Sequence, residues 1–207
     1  MTDLRLLLGQ TDIYLIDQLL RRRIAPGMRI FDAGCGGGRN LVYFLREGYD
    51  VAGVDGDAAA VGAVRRLAAE LAPRLPAENF RREAVESHSF PRSCAEVVIS
   101  SAVLHFARDP DHFRAMLESS WSVLAPGGLF FCRLASSVGI EDRIRSVGAG
   151  RFALPDGSER YLVDAEELLS LSARLGGELL DPLKTTVVHD QRAMTTWVLR
   201  KAGGRVG

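Results

Sequence analysis

The chain has 207 residues, 47% of them hydrophobic and 25% charged, which is enough for one domain with a substantial core and few for two. Its 26 Lys and Arg balance 26 Asp and Glu, so no global field favours nucleic acid or an anionic membrane. Three cysteines, Cys35, Cys94 and Cys132, form no C-x-x-C pair, which argues against a disulfide framework and a structural zinc site.

From the N-terminus, the leucine run of "MTDLRLLLGQ" is interrupted by Arg5, and neither a cleavage site nor a membrane-spanning length follows. A reduced, cytoplasmic setting is the expectation. Residues 11–24, "TDIYLIDQLLRRRI", read as an amphipathic helix with Ile13, Ile16, Leu19 and Leu20 on one face. "MRIFDA" is the first strand, "RNLVYFLREG" a helix ending at Gly48, and "YDVAGVD" the second strand. Asp57 caps a helix that runs to about Leu71. "NFRREA" makes a third strand and "AEVVISS" a fourth. Asp109 followed by Pro110 starts the next helix, which continues to Leu124, and "LFFCRLA" is the fifth strand. Asp164 caps a further helix, with Glu167 completing a capping box. The tail gives two strands, "GELLDPLKTT" and "AMTTWVLRK", joined by "VVHDQR".

Strands alternating with helices specify a Rossmann-like, doubly wound α/β sheet, mostly parallel, with helices on both faces. The tail breaks that rhythm. Two strands so closely joined cannot be parallel neighbours, because a parallel crossover needs a dozen or more residues, so the sheet is expected to end on an antiparallel strand.

Residues 30–40, "IFDAGCGGGRN", hold the strongest chemical signal. A dinucleotide loop needs G-x-G-x-x-G, but counting from Gly34 and Gly36 the third place falls on Arg39. A Walker-type phosphate loop fails too, for want of Gly-Lys-Ser or Gly-Lys-Thr. Asp32, two residues before the first glycine, repels phosphate; like charges at about 4 Å and a dielectric near 20 cost on the order of 4 kcal/mol. An acid there suits a ligand with a cationic ammonium group, and S-adenosylmethionine (SAM) has that character. Asp55 ends the second strand 21 residues after Gly34, placed for both ribose hydroxyls in either NAD or SAM.

"DAGCGGGRN", "GYDVAGVD", "AEVVISSAVLH" and "LAPGGLFF" resemble, in order and spacing, four motifs of the class I SAM-dependent methyltransferases. The likeness covers roughly residues 12–135 and, in outline, the antiparallel tail. Within the class, "GRNLVYFLREGYDV" is similar to small tellurite-resistance-type (TehB-like) enzymes. The resemblance implies a single domain over residues 1–207 with a seven-stranded sheet whose last strand is antiparallel. It implies that Asp32, Gly34, Cys35 and Gly36 line the methionine moiety, with Gly38, Arg39 and Asn40 opening the next helix near the same end. Asp55 and Gly56 would hold the ribose, Glu83 and Ala84 stand where the adenine contacts belong, and Ser100 would lie below the sulfonium. SAM is the implied cofactor, S-adenosylhomocysteine (SAH) the product, and no metal is implied.

The acceptor is less legible. The chain has "SSAVLH" where amino-methylating DNA enzymes carry Asn- or Asp-Pro-Pro-aromatic, and it lacks Pro-Cys, so a small molecule is expected rather than a nucleic-acid base. His105 stands at the mouth where a general base would sit, or simply packs the turn after the fourth strand. Tyr14 is a second pocket candidate or a core tyrosine, and His189 is expected to face solvent. Residues 136–163 are expected to form a flap, with a hairpin around Pro155–Ser158 and Phe152, Arg160 and Tyr161 as contacts. Two other readings stay open: a non-catalytic SAM-binding regulatory protein, and a nucleotide-dependent oxidoreductase. Oligomeric state is not encoded legibly.

Overall fold

Two short helices, α1 (Leu4–Leu8) and α2 (Ile13–Leu20), lead into the first strand, β1 (Ile30–Ala33). The computed structural model describes residues 3–203. After β1 come α3 (Val42–Arg46), β2 (Val51–Asp55), α4 (Ala58–Leu71), β3 (Phe80–Arg82) and β4 (Ala95–Ser101). Then follow α5 (Pro110–Val123), β5 (Leu124–Ser136) and a group of three short strands, β6 (Arg145–Gly148), β7 (Arg151–Ala153) and β8 (Glu159–Tyr161). The chain closes with α6 (Ala165–Leu175), β9 (Gly177–Leu179), β10 (Lys184–Val188) and β11 (Arg192–Lys201).

Seven strands lie side by side in the order β10-β11-β5-β4-β1-β2-β3, and short β9 shares the outer edge of β11 with β10. Neighbours from β3 to β5 are parallel, while β11 runs antiparallel to β5 and to β10. This is the expected mostly parallel sheet with its antiparallel last strand. The hairpin between β10 and β11 turns on His189 and Asp190, both at positive φ, and His189 is exposed as expected.

Alternation along the strands sends side chains to two separate cores. Phe31, Val98, Phe130, Cys132 and Trp197 face α5 and α6, with Phe113, Leu117 and Leu168. Ile30, Val97, Ile99, Phe131 and Val198 face the other way, toward Leu15, Phe44, Val61 and Val64 of α2, α3 and α4. Trp197, fully buried, donates its Nε1 hydrogen to Ser172 Oγ at 2.9 Å, so its one polar atom is satisfied.

Four expectations need correction. The helix expected over residues 11–24 stops at Leu20, because Arg22 takes a left-handed φ of 57°. A helix expected from Arg39 begins only at Val42: the Asn40 side chain is engaged with Asp12, and Leu41 N–H closes a turn onto the carbonyl of Gly38, itself at φ 85°. "NFRREA" keeps three ladder residues, and "GELLDPLKTT" splits into β9 and β10 around Pro182, which has no N–H for a ladder. Helix α1, capped by Asp3, was not foreseen.

Candidate functional site

The chain runs from β1 outward to β2 and β3, then returns to lay β4 on the other side of β1. A sheet wound this way opens a crevice at the carboxyl ends of the two strands where direction reverses. A cleft of about 470 Å³ lies there, within the usual range for ligand sites. The loop after β1 (Gly34–Gly37, Arg39, Asn40), the end of β2 (Asp55, Gly56) and the turn after β4 (Ser101–Val103, Phe106) line it, with Val85 and Met116.

The glycine loop is built for close approach. Gly34, at φ 84°, sits so near Val103 that a Cβ would meet its Cγ2 at 2.5 Å. Gly38, at φ 85°, is pressed against Val64 and Leu67 of α4 in the same way. Gly36 differs: nothing lies within 4 Å of where its Cβ would be, so its backbone is open to a ligand. Asp55 holds the loop from the end of β2. Its Oδ2 accepts the Gly36 N–H at 2.9 Å and its Oδ1 the Asp57 N–H at 2.9 Å. A carboxylate has about four lone-pair positions, so two remain to accept from a ligand.

Asp32 lies beneath the loop rather than in the cleft lining, only 2% exposed. Burial raises its pKa to about 7, against the pull of Arg39, while Asp55 pushes in the same direction as burial. Arg39, where a dinucleotide site would need glycine, thus supplies the compensating charge, and its Nη2 reaches Ser101 Oγ at 3.4 Å. Burial also pushes the Cys35 thiol well up, so it stays protonated in the lining.

Strand alternation decides which serine faces the cleft. Ser100 shares its face with Val98, toward α5, and its Oγ is buried without a hydrogen-bond partner; Ser101 shares its face with Ile99 and lines the cleft. The cleft lining thus takes Ser101, whereas the expected Ser100 lies outside it. Glu83 and Ala84 are also outside the lining, which takes Val85 instead: Glu83 accepts from Ser89 N–H and O–H, both at 2.7 Å.

Sequence reasoning missed Asp12. It caps α2 through Tyr14 N–H, accepts from Arg133 Nη1 at 3.1 Å and Ser101 Oγ at 3.4 Å, and its own N–H donates to Asn40 Oδ1. One residue thereby ties the N-terminal helix to the glycine loop, β4 and β5. The signal available was its place as an N-cap acid directly before the apolar stripe of α2. Tyr14 stands beside this network: its OH meets Thr186 Oγ1 at 2.7 Å, and Arg133 lies over its ring at 5.4 Å. It is not part of the cleft lining.

A second cavity of about 250 Å³ adjoins the cleft at Ala102. His105 lines it. Its Nδ1 accepts the Ala135 N–H at 3.1 Å, which puts the ring hydrogen on Nε2. Burial, helped by nearby Arg160, lowers its pKa to about 4. The flap roofs this cavity: β7 and β8 pair as the expected hairpin, with β6 as an added third strand. Of the three flap residues singled out, Arg160 lines the cavity, whereas Tyr161, on the opposite strand face, stacks on Phe113 of α5 at 4.8 Å. Phe152 packs beside Leu154 and Leu162.

Residues 31–132 match a family model described as a methyltransferase domain. The chain has a methyltransferase fold. The chain is 28% identical over 107 residues to an uncharacterized methyltransferase of Synechocystis, covering 52% of this chain and 47% of that protein. To the ubiquinone biosynthesis O-methyltransferase of Sinorhizobium medicae it is 27% identical over 169 residues, covering 77% and 64%. The chain thus spans between about half and just under two thirds of these curated relatives. Among solved structures, a SAM-dependent methyltransferase of Methanosarcina mazei superposes with a TM-score of 0.70 at 21% identity, covering 89% of this chain and 97% of that one. The 1,6-didemethyltoxoflavin-N1-methyltransferase of Burkholderia thailandensis, with SAH bound, gives 0.71 at 19% identity, covering 94% and 79%. Among the described residues no helix is long and apolar enough to cross a membrane, and no group of three or more His, Cys, Asp or Glu is placed to hold a metal ion.

Proposed function

We propose that the protein transfers a methyl group from SAM to a small-molecule acceptor. The observation that carries this reading is Asp55, bonded to the open Gly36 backbone at the switch point of a methyltransferase fold, with lone pairs left for a ribose. The residues present fit SAM: an acid behind the loop, an open glycine for the amino-acid end, and Val85, Met116 and Phe106 as an apolar wall for an adenine. A pyrophosphate in this loop would meet the Asp55 carboxylate, which already takes the Gly36 N–H.

Bound SAM supplies an already electrophilic sulfonium methyl, so the chain's main task is to align the acceptor. Ala102 stands between the two cavities at φ 63°, its N–H fixed to the Arg133 carbonyl at 2.7 Å. The second cavity, under the flap, is the acceptor side of this arrangement. His105 orients there as a hydrogen-bond donor, not as a proton acceptor. A nucleic-acid base is not the expected acceptor, and the likeness to tellurite-resistance-type enzymes rests on residues 38–51 alone. The test is SAH formation from SAM across a panel of small acceptors, with Asp55→Ala as control. Turnover that depends on Asp55 supports the reading, and SAM binding without turnover on any acceptor would favour a regulatory role.

A further inference from the structure

We propose that the second cavity is a subsite for a small organic acid, its anionic group held by Arg160, Arg192 and His105 and its apolar body by Leu154, Val188 and Met194. As an account of the acceptor this rests on the methyl-transfer reading; as an account of a binding site it stands alone.

Three arginines from three elements converge on this space: Arg133 of β5, Arg160 of β8 and Arg192 of β11. Arg133 is already paired with Asp12. Arg160 spends one N–H on the carbonyl of its neighbour Glu159 at 2.8 Å and lies over the Phe106 ring at 4.9 Å, with no carboxylate partner among the described residues. The Arg192 side chain makes no hydrogen bond or ion pair among the described residues. Opposing these is one carboxylate, Asp156. Its Oδ1 accepts from both the N–H and the O–H of Ser158, at 2.9 and 2.6 Å, so its hydrogen-bonding is turned toward its own turn. Hydrogen bonds from Ser158 and the charges of Arg192 and Arg160 hold its pKa below the usual carboxylate range. The net charge of the lining is positive, and the available groups are donors.

His105 adds a third donor. With Nδ1 occupied by the Ala135 N–H, Nε2–H is the hydrogen it can offer, and its neutral ring adds no further repulsion to the arginines. A guanidinium suits a planar two-oxygen anion, which it can grip with two parallel bonds. The apolar part of the lining separates an organic acid from a free inorganic oxyanion, which would lose hydration against Leu154 and Met194 with nothing to replace it. The small volume limits the ligand to a compact molecule.

The test is calorimetric titration with benzoate and 4-hydroxybenzoate, with benzamide as the neutral isostere and selenite as the inorganic oxyanion. Each is run on wild type, R192Q and R160Q/R192Q, without and with saturating SAH. The expected result is carboxylate binding below about 10 mM, preferred over benzamide by roughly tenfold or more, and weakened by a similar factor in R160Q/R192Q. SAH affinity should be the same in all three proteins, which also shows that the variants fold. Equal binding of benzamide, unchanged carboxylate affinity in R160Q/R192Q, binding of selenite alone, or no carboxylate binding at all overturns the inference. Carboxylate binding by a protein that ignores SAH would sustain the subsite and overturn the methyl-transfer reading instead.

Discussion

Asp55, Asp32 and Gly38 each do a different job within a few residues of one loop, and each can be separated experimentally. Asp55→Ala removes a charge-assisted acceptor from a ribose and releases the Gly36 N–H, so SAH affinity should fall by about 1.5–3 kcal/mol, read by calorimetry. Asp32 works through protonation. Its folded pKa of about 7 lies above the ordinary 3.8, so the ligand-free fold keeps a proton that the unfolded chain releases. The sign follows: that contribution to stability is full below about pH 4 and is lost as pH rises to about 7. Asp32→Asn should therefore be more stable than wild type above about pH 7, by on the order of 4 kcal/mol in thermal or urea unfolding, while binding SAM more weakly. A cationic ligand needs the carboxylate ionised, so wild-type SAM affinity should drop as pH falls below about 7. His105, at about 4, should leave no limb of its own between roughly pH 5 and 8 in the kcat/KM profile. Gly38→Ala forces a left-handed residue into contact with Val64 and Leu67 at 2.8 and 2.9 Å, and should cost about 1–3 kcal/mol of stability.

At the scale of elements, what the sequence makes legible is what local chemistry decides. Acid caps at Asp57, Asp109 and Asp164 mark their helices within a residue of where they begin, because each side chain accepts a backbone N–H in the first turn. The extent of the glycine-loop helix and of the tail strands is less legible, since Asn40 and Asp181 are drawn off by partners far along the chain, Asp12 and Arg23. The face of each strand-end residue is hidden for a similar reason. "ISSA" does not say which serine turns toward the cleft until the register of β4 against β1 fixes it. The flap hairpin shows in the turn residues Pro155–Ser158, but β6, fully exposed and without strong alternation, does not. Replacing residues 146–158 with a link of roughly four Gly and Ser residues spares Tyr161 and its stack on Phe113. That variant should keep SAH affinity and lose acceptor turnover; retained acceptor KM would show that the flap does not close the pocket.

At the scale of the molecule, one sheet reversal sets the site: the crossover that places β4 beside β1 brings Gly36, Asp55 and Ser101 to one cleft from strands far apart in sequence. Of that constellation, the glycines and Asp55 announce themselves by spacing, whereas Asp12, Ser101, Phe106 and the converging arginines gain meaning only in three dimensions. The donor side is therefore the legible half, and the acceptor side belongs to the fold. We read the glycine loop and Asp55 as a SAM site, not a dinucleotide site. Calorimetric titration of the wild-type protein with SAM, SAH and NAD tests this reading most directly. SAM and SAH should bind one-to-one, both more weakly in Asp55→Ala, with NAD much weaker or absent. Tighter binding of NAD than of SAM would contradict it.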